Sequence, residues 1–223
     1  MRHPARSESG GPGTREPGLL ALRETARLLP VVAPVTLVGL GLFGAALWRL
    51  GAEGPSSGTF AGALALLVAA ALCEAFPVPI EGMSGSVSLA ATFVVGAAII
   101  YGWAAAVVVG FLARAIVESW TRRPLVRLAY NSAVYALAAA AAGGAVAPLA
   151  GRANVGMLVL TVLLGSTAFY AINIPCVTAV IARWRKEPFM GVLRHTTYWT
   201  SIPFAIMSSL TLLLISVSGC CSS

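Results

Sequence analysis

The chain has 223 residues, of which 58% are hydrophobic and 10% charged, with a formal net charge of +7 at neutral pH. A soluble domain carries about 25% charged residues, and no soluble fold of this length hides so much apolar surface, so the composition requires a bilayer. The positive charge excludes little by itself, but no basic stripe interleaved with aromatics is present, so a nucleic-acid interface is not expected, and arginine flanking membrane spans accounts for it.

Closed barrels and helices both span membranes, but a barrel strand alternates apolar and polar residues in short segments. Here the apolar runs are continuous and rich in Ala, Leu, Val and Gly, so the expected fold class is all-α, a polytopic helical bundle. Residues 1–29 form its lead-in: a Gly, Pro, Ser, Glu and Arg-rich tail expected to be disordered, then Leu19 to Leu29, an amphipathic stretch suited to the membrane surface. The apolar segment comes too late for a signal peptide. The membrane domain covers 30–218, with spans at about 30–49, 59–76, 86–101, 103–120, 125–148, 155–182 and 197–218, and 219–223 is a short tail. The sixth span exceeds the roughly 20 residues a bilayer needs, and Pro175 is the natural place for a bend.

The uncharged run from Val87 to Ala113 fits either one long span or a hairpin turned at Gly102-Trp103. Charge decides between them. With a cytoplasmic N-terminus, a hairpin puts 13 cations inside and only Arg49 and Arg152 outside, whereas one long span divides them 6 to 9. The positive-inside rule selects the hairpin, and with it seven spans, a short third and fourth among them that cross or re-enter, and an outer C-terminus. The implied location is a membrane crossed many times with the N-terminus on its cytoplasmic side. Small residues at helix-packing intervals, such as Gly58 and Gly62 or Ala65 and Ala69, suit close packing within the bundle and are also compatible with a homodimer.

Charges and amides inside spans are costly and each needs a reason. Arg114 and Glu118 stand four apart on one helix face and can pair. Glu74 ends the second span and precedes an acidic turn holding Glu81, on the same expected side as the basic turn at 121–127, so a pairing of Glu74 with Arg114, Arg122, Arg123 or Arg127 is expected. Asn131 and Asn173 are amides within spans that need hydrogen-bond partners; helix-to-helix bonding is the simplest use. These six residues, Glu74, Glu81, Arg114, Glu118, Asn131 and Asn173, are the candidates for an intramembrane polar network or ligand site. Catalytic residues are not expected. The chain has no Asp, His3 lies in the tail and His195 in a basic loop, and no Gly-rich phosphate loop is present. Neither a metal site nor a cofactor is expected: Cys73 and Cys176 lie in spans, and Cys220-Cys221 has no second pair or His cluster beside it.

The order of motifs carries a resemblance. Glu74-Ala75-Phe76-Pro77 is followed by a Gly/Ser turn and Val87-Ser88-Leu89-Ala90 leading to Phe93. Then come Gly102-Trp103, Arg122-Arg123-Pro124, Ala129-Tyr130-Asn131 and Tyr198-Trp199. Over residues 30–218 the chain resembles the N-terminal multi-span membrane module of bacterial HD-GYP-type phosphohydrolases and diguanylate cyclases. The resemblance implies a membrane sensory or anchoring module without catalysis of its own. Those proteins continue into a cytoplasmic catalytic domain, whereas this sequence stops at Ser223, so a free-standing or shortened form is expected, one that neither makes nor breaks a cyclic dinucleotide. The second reading is the substrate-binding membrane subunit of a vitamin-like importer, since transporters place interrupted helices at their substrate sites. The expected partners are the bilayer, and a second copy or a separate signalling or transport protein.

Overall fold

The computed structural model of the chain describes residues 17–79, 86–151 and 154–220. Six long helices account for most of them: α1 (Pro17–Glu53), α2 (Ser57–Ala75), α3 (Ala90–Trp120), α4 (Leu125–Val146), α5 (Val155–Arg185) and α6 (Phe189–Cys220). Between α2 and α3, β1 (Val78–Pro79) and β2 (Ser86–Val87) form a two-residue antiparallel pair, Val78 opposite Val87, and a 3-10 turn (Ala147–Leu149) follows α4. All six helices are long and apolar enough to cross a membrane, with Leu28–Glu53 the relevant part of α1.

Two boundaries differ from the sequence reading. The surface helix and first span are one unbroken helix, α1, which passes through Pro30 and Pro34; no glycine stands between Leu19 and Val38, and the prolines remove hydrogen bonds without stopping the helix. The last helix starts at Phe189, not 197, and His195 lies within it. Lys186 takes a left-handed conformation at the end of α5, Pro188 blocks continuation, and the expected basic loop shrinks to the few residues around them. The tail before Pro17 lies outside the described residues.

The third and fourth expected spans form α3, and Gly102 sets its shape. Its φ of +82° with ψ of 177° breaks the helix within α3 and is a conformation essentially reserved for glycine. Val94 Cγ1 stands 3.3 Å from the position a Cβ on Gly110 would occupy. In a straight helix those residues would be about 24 Å apart. The arms therefore run antiparallel, as the charge distribution requires.

This hairpin is the centre of the molecule: in the most apolar 18-residue stretch of each helix, 61% of the residues of α3 are buried, against 11% in α1 and in α2. Glycine permits the closest approaches. A Cβ on Gly39 of α1 would strike Ala133 of α4, one on Gly143 of α4 would strike Trp103, and one on Gly62 of α2 would strike Tyr101. In α2 the buried residues are Leu66, Ala70 and Glu74, at four-residue spacing, so Gly62 and this row face α3, while Gly58 and Ala65 turn outward. The outer surface carries Leu37, Phe60, Leu64, Val68 and Leu72, the side chains a hydrocarbon solvent accommodates. Exposed Trp48, Trp120 and Trp184 stand near helix ends, where amphipathic rings meet the headgroups.

Candidate functional site

The hairpin brings both ends of α3 to the end of α2. Ser88 fastens the first: its hydroxyl donates to the Cys73 carbonyl of α2 at 3.2 Å and accepts the Ala90 N–H at 3.1 Å. The second end closes in a Schellman arrangement, with Arg122 in the left-handed region and the Arg123 N–H donating to the Glu118 carbonyl. Thr121 adds a hydroxyl bond to the Val117 carbonyl at 2.9 Å.

Between these ends lies a charged network. Arg114 Nη1 donates to Glu74 Oε2, and Arg114 Nη2 lies 3.0 Å from Glu118 Oε1. The Tyr135 hydroxyl donates to Glu74 Oε1. Asn131 Nδ2 donates to Glu118 Oε1 at 2.7 Å, and Arg127 Nε stands 3.5 Å from Glu118 Oε2. Both carboxylates are buried, Glu74 at 4% and Glu118 at 3% exposure. Arg114 also lies over the Tyr135 ring, 5.7 Å from its centroid. A carboxylate taken out of water is tolerable when paired and hydrogen-bonded. Here α2 supplies one acid, α3 the other acid and the shared arginine, and α4 the amide and the phenol, so the network ties three helices together.

Of the six residues read from the sequence, Glu74, Arg114, Glu118 and Asn131 meet in this network. Of the candidate partners for Glu74, Arg114 is the one in contact. Asn173 does not join it: its buried Oδ1 has no hydrogen-bond partner, and it faces a cavity beside the network. Glu81 lies outside the described residues. Sequence reasoning gave no role to Tyr135; the available signal was spacing, since it stands four residues from Asn131, on its face of α4, and Arg127, expected as a partner for Glu74, stands by Glu118 instead.

The cavity, of about 460 Å³, lies between the network and helices α5 and α6, within the range of small-molecule sites. Glu74, Arg114 and Glu118 line one wall, Phe169, Tyr170 and Asn173 of α5 another, and Thr196, Thr200 and Met207 of α6 a third, with Arg123 and Arg127 at its mouth. A second cavity of about 330 Å³ lies in the seam between α5 and α6, around Pro175 and Phe204. The two share Tyr170, Ile174 and Thr200 as walls. An aromatic series joins them: Tyr135 meets Phe169 edge-on at 5.7 Å, Phe169 meets Tyr170 at 5.8 Å, and Tyr170 meets Phe204 at 5.1 Å. Among the described residues no group of three His, Cys, Asp or Glu side chains is placed to hold a metal.

Comparison of the chain with protein families, curated proteins and solved structures finds no match.

Proposed function

We propose that the chain is a non-catalytic membrane sensory module of the kind that bacterial signalling proteins carry, and that its cavity takes a small-molecule stimulus. One observation carries the reading: the cavity wall is the same Glu74–Arg114–Glu118 network that fastens α2 to α3 and α3 to α4. A molecule that touches this wall with different affinity in two packings of the helices shifts the balance between them, which is all a sensor requires. The use of the acids supports the non-catalytic part of the reading. Each buried carboxylate is engaged by arginine and by a phenol or an amide, an arrangement for anchoring helices rather than for moving protons.

In this proposal both arms of α3 cross, giving seven crossings in the bacterial inner membrane with the N-terminus in the cytoplasm. The asymmetry of charge supports it: Arg122, Arg123, Arg127, Arg183, Arg185, Lys186 and Arg194 flank the cavity end, and Arg49 the other. The importer reading draws on the Gly102 break and on the bend expected at Pro175; the first packs by Trp103 against Gly143 and Arg49, at the opposite end from the cavity, and the second lines the seam cavity.

The test is thermal unfolding of the full chain in lipid nanodiscs against a panel of small molecules. At about 100 times its Kd a ligand adds roughly 2.7 kcal/mol, an increase in Tm that Asn173→Ala and Tyr170→Ala should reduce. In sealed membrane vesicles of known orientation, a cysteine in place of Thr121, in a chain otherwise free of cysteine, should react with an impermeant maleimide only from the cytoplasmic side. Accumulation of the stabilising molecule inside vesicles would replace the sensory reading with transport, and an increase in Tm indifferent to both cavity variants would remove the site.

A further inference from the structure

Resting on the reading of the cavity as a ligand site, we infer that its ligand is an anionic amphiphile, a single carboxylate or phosphate head carrying an apolar chain. The head belongs at the mouth, among Arg123, Arg127 and Arg114, and the chain runs along the aromatic series toward the seam between α5 and α6.

The sign of the head follows from the charges lining the cavity. Three arginines face two glutamates, leaving one formal positive charge over. Glu74 is held by Arg114 and Tyr135, and Glu118 by Arg114 and Asn131 at Oε1 with Arg127 3.5 Å from Oε2, so a cationic ligand would have to compete with arginines already in place. An anion leaves the Arg114 ion pairs intact. Arg123 makes no ion pair with a described residue, Arg127 is half-exposed and reaches Glu118 only at 3.5 Å, and the buried Arg114 Nε–H has no acceptor. Guanidinium groups with spare donors match the paired oxygens of a carboxylate or phosphate.

The apolar part follows from the walls. Beyond the arginines the cavity has polar walls at Asn173, Thr196 and Thr200 and an apolar side formed by Phe169, Ile174, Val177 and Met207, and Ile174 of the apolar side borders the second cavity. On the far side of Tyr170 and Ile174 lies the second cavity, lined by Leu193, Phe204 and Pro175, which the apolar chain enters between these shared walls. Ala171, Thr197 and Ser201 along that seam are exposed on the surface that faces lipid. A chain seated there has its polar end at the basic face and its apolar end at the hydrocarbon, the orientation an amphiphile already has in a membrane. Two sources offer this chemistry: an acidic phospholipid of the bilayer, or a free acid partitioning into it.

The experiment uses the full chain in phosphatidylcholine nanodiscs, titrated with decanoate, decanol and decyltrimethylammonium, with native mass spectrometry of retained phosphatidylglycerol as a second arm. Decanoate should bind about tenfold more tightly than decanol, the gain expected of one charge-assisted contact. Arg123→Gln should erase that difference while leaving decanol binding and Tm unchanged. Arg185→Gln, which removes a cation from the same face outside the cavity, should leave decanoate binding as it was. Retention of phosphatidylglycerol that is lost in Arg123→Gln identifies a bilayer lipid as the source; decanoate binding without such retention identifies a free acid, and either result supports the class. Equal binding of decanol or of the cation overturns the anionic head while leaving the cavity as a ligand site. An equal loss in Arg185→Gln overturns it too, by assigning the effect to surface charge. Absence of binding by all three amphiphiles overturns the inference, whereas the sensory reading fails only if the wider panel is also without effect.

Discussion

Arg114 serves two carboxylates at once, and this decides how the network responds to substitution. Glu74→Gln removes an ion pair and leaves Tyr135 with a weaker acceptor; breaking such a buried pair should cost about 3 kcal/mol. Exchanging the two charges should not restore stability, because a glutamate at position 114 would face Glu118 one turn away, and like charges at that spacing repel. Neutralising both residues, as Glu74→Gln with Arg114→Leu, should cost less than the sum of the single changes, with a coupling of about 2 kcal/mol. Reversible unfolding in mixed micelles measures all three variants; strictly additive costs would remove the pairing. At this scale the sequence was partly legible. Intramembrane Glu74, Arg114, Glu118 and Asn131 stood out because lipid makes each of them costly. Tyr135 and Tyr170 did not, since an aromatic ring suits a span whether or not its hydroxyl is used. Asn173 looked like Asn131 in sequence; only the packing shows that one amide meets a carboxylate and the other a cavity.

At the scale of helices, glycine sorts contact faces from lipid faces. The α1 glycines make the contrast within one element: a Cβ on Gly39 collides with Ala133, whereas Gly41 and Gly44 have nothing within 4 Å. Gly39→Ala should therefore destabilise the bundle by about 1–3 kcal/mol through overpacking, while Gly41→Ala and Gly44→Ala should be neutral or slightly stabilising through helix propensity. Unfolding midpoints of the three variants provide the check, and a neutral Gly39→Ala would contradict the packing of α1 on α4. Small-residue spacing alone did not select the buried row in α2, because Gly58 and Gly62, like Ala65 and Ala69, repeat at the same four-residue interval, yet Gly58 and Ala65 are exposed while Gly62 packs on Tyr101. Composition cannot identify the buried face when the solvent is as apolar as the core. The fold of α3 was legible for a different reason: the distribution of arginines along the chain records which ends share a side.

For the whole molecule, one backbone reversal determines everything placed around it. The turn at Gly102 returns Arg114 and Glu118 to the level of Glu74, puts the network against the cavity, and leaves α1 and α2 as an outer wall facing lipid. Helix ends were less legible than this topology. The prolines of α1 and the Lys186-Pro188 break act through backbone geometry, which hydropathy does not register. A straight α3 would separate Glu74 from Arg114 by most of a bilayer, and neither the site nor the sensory reading could stand. The most direct measurement is a disulfide cross-link between Val94→Cys and Gly110→Cys, in a chain whose Cys73, Cys176, Cys220 and Cys221 are replaced, oxidised in native membranes and read by mass spectrometry. Cβ atoms about 3.5–4.5 Å apart form such a bond, so the hairpin should yield the intramolecular disulfide in high proportion, with the loss of two hydrogens. Two free thiols after oxidation, as a straight α3 requires, would contradict it.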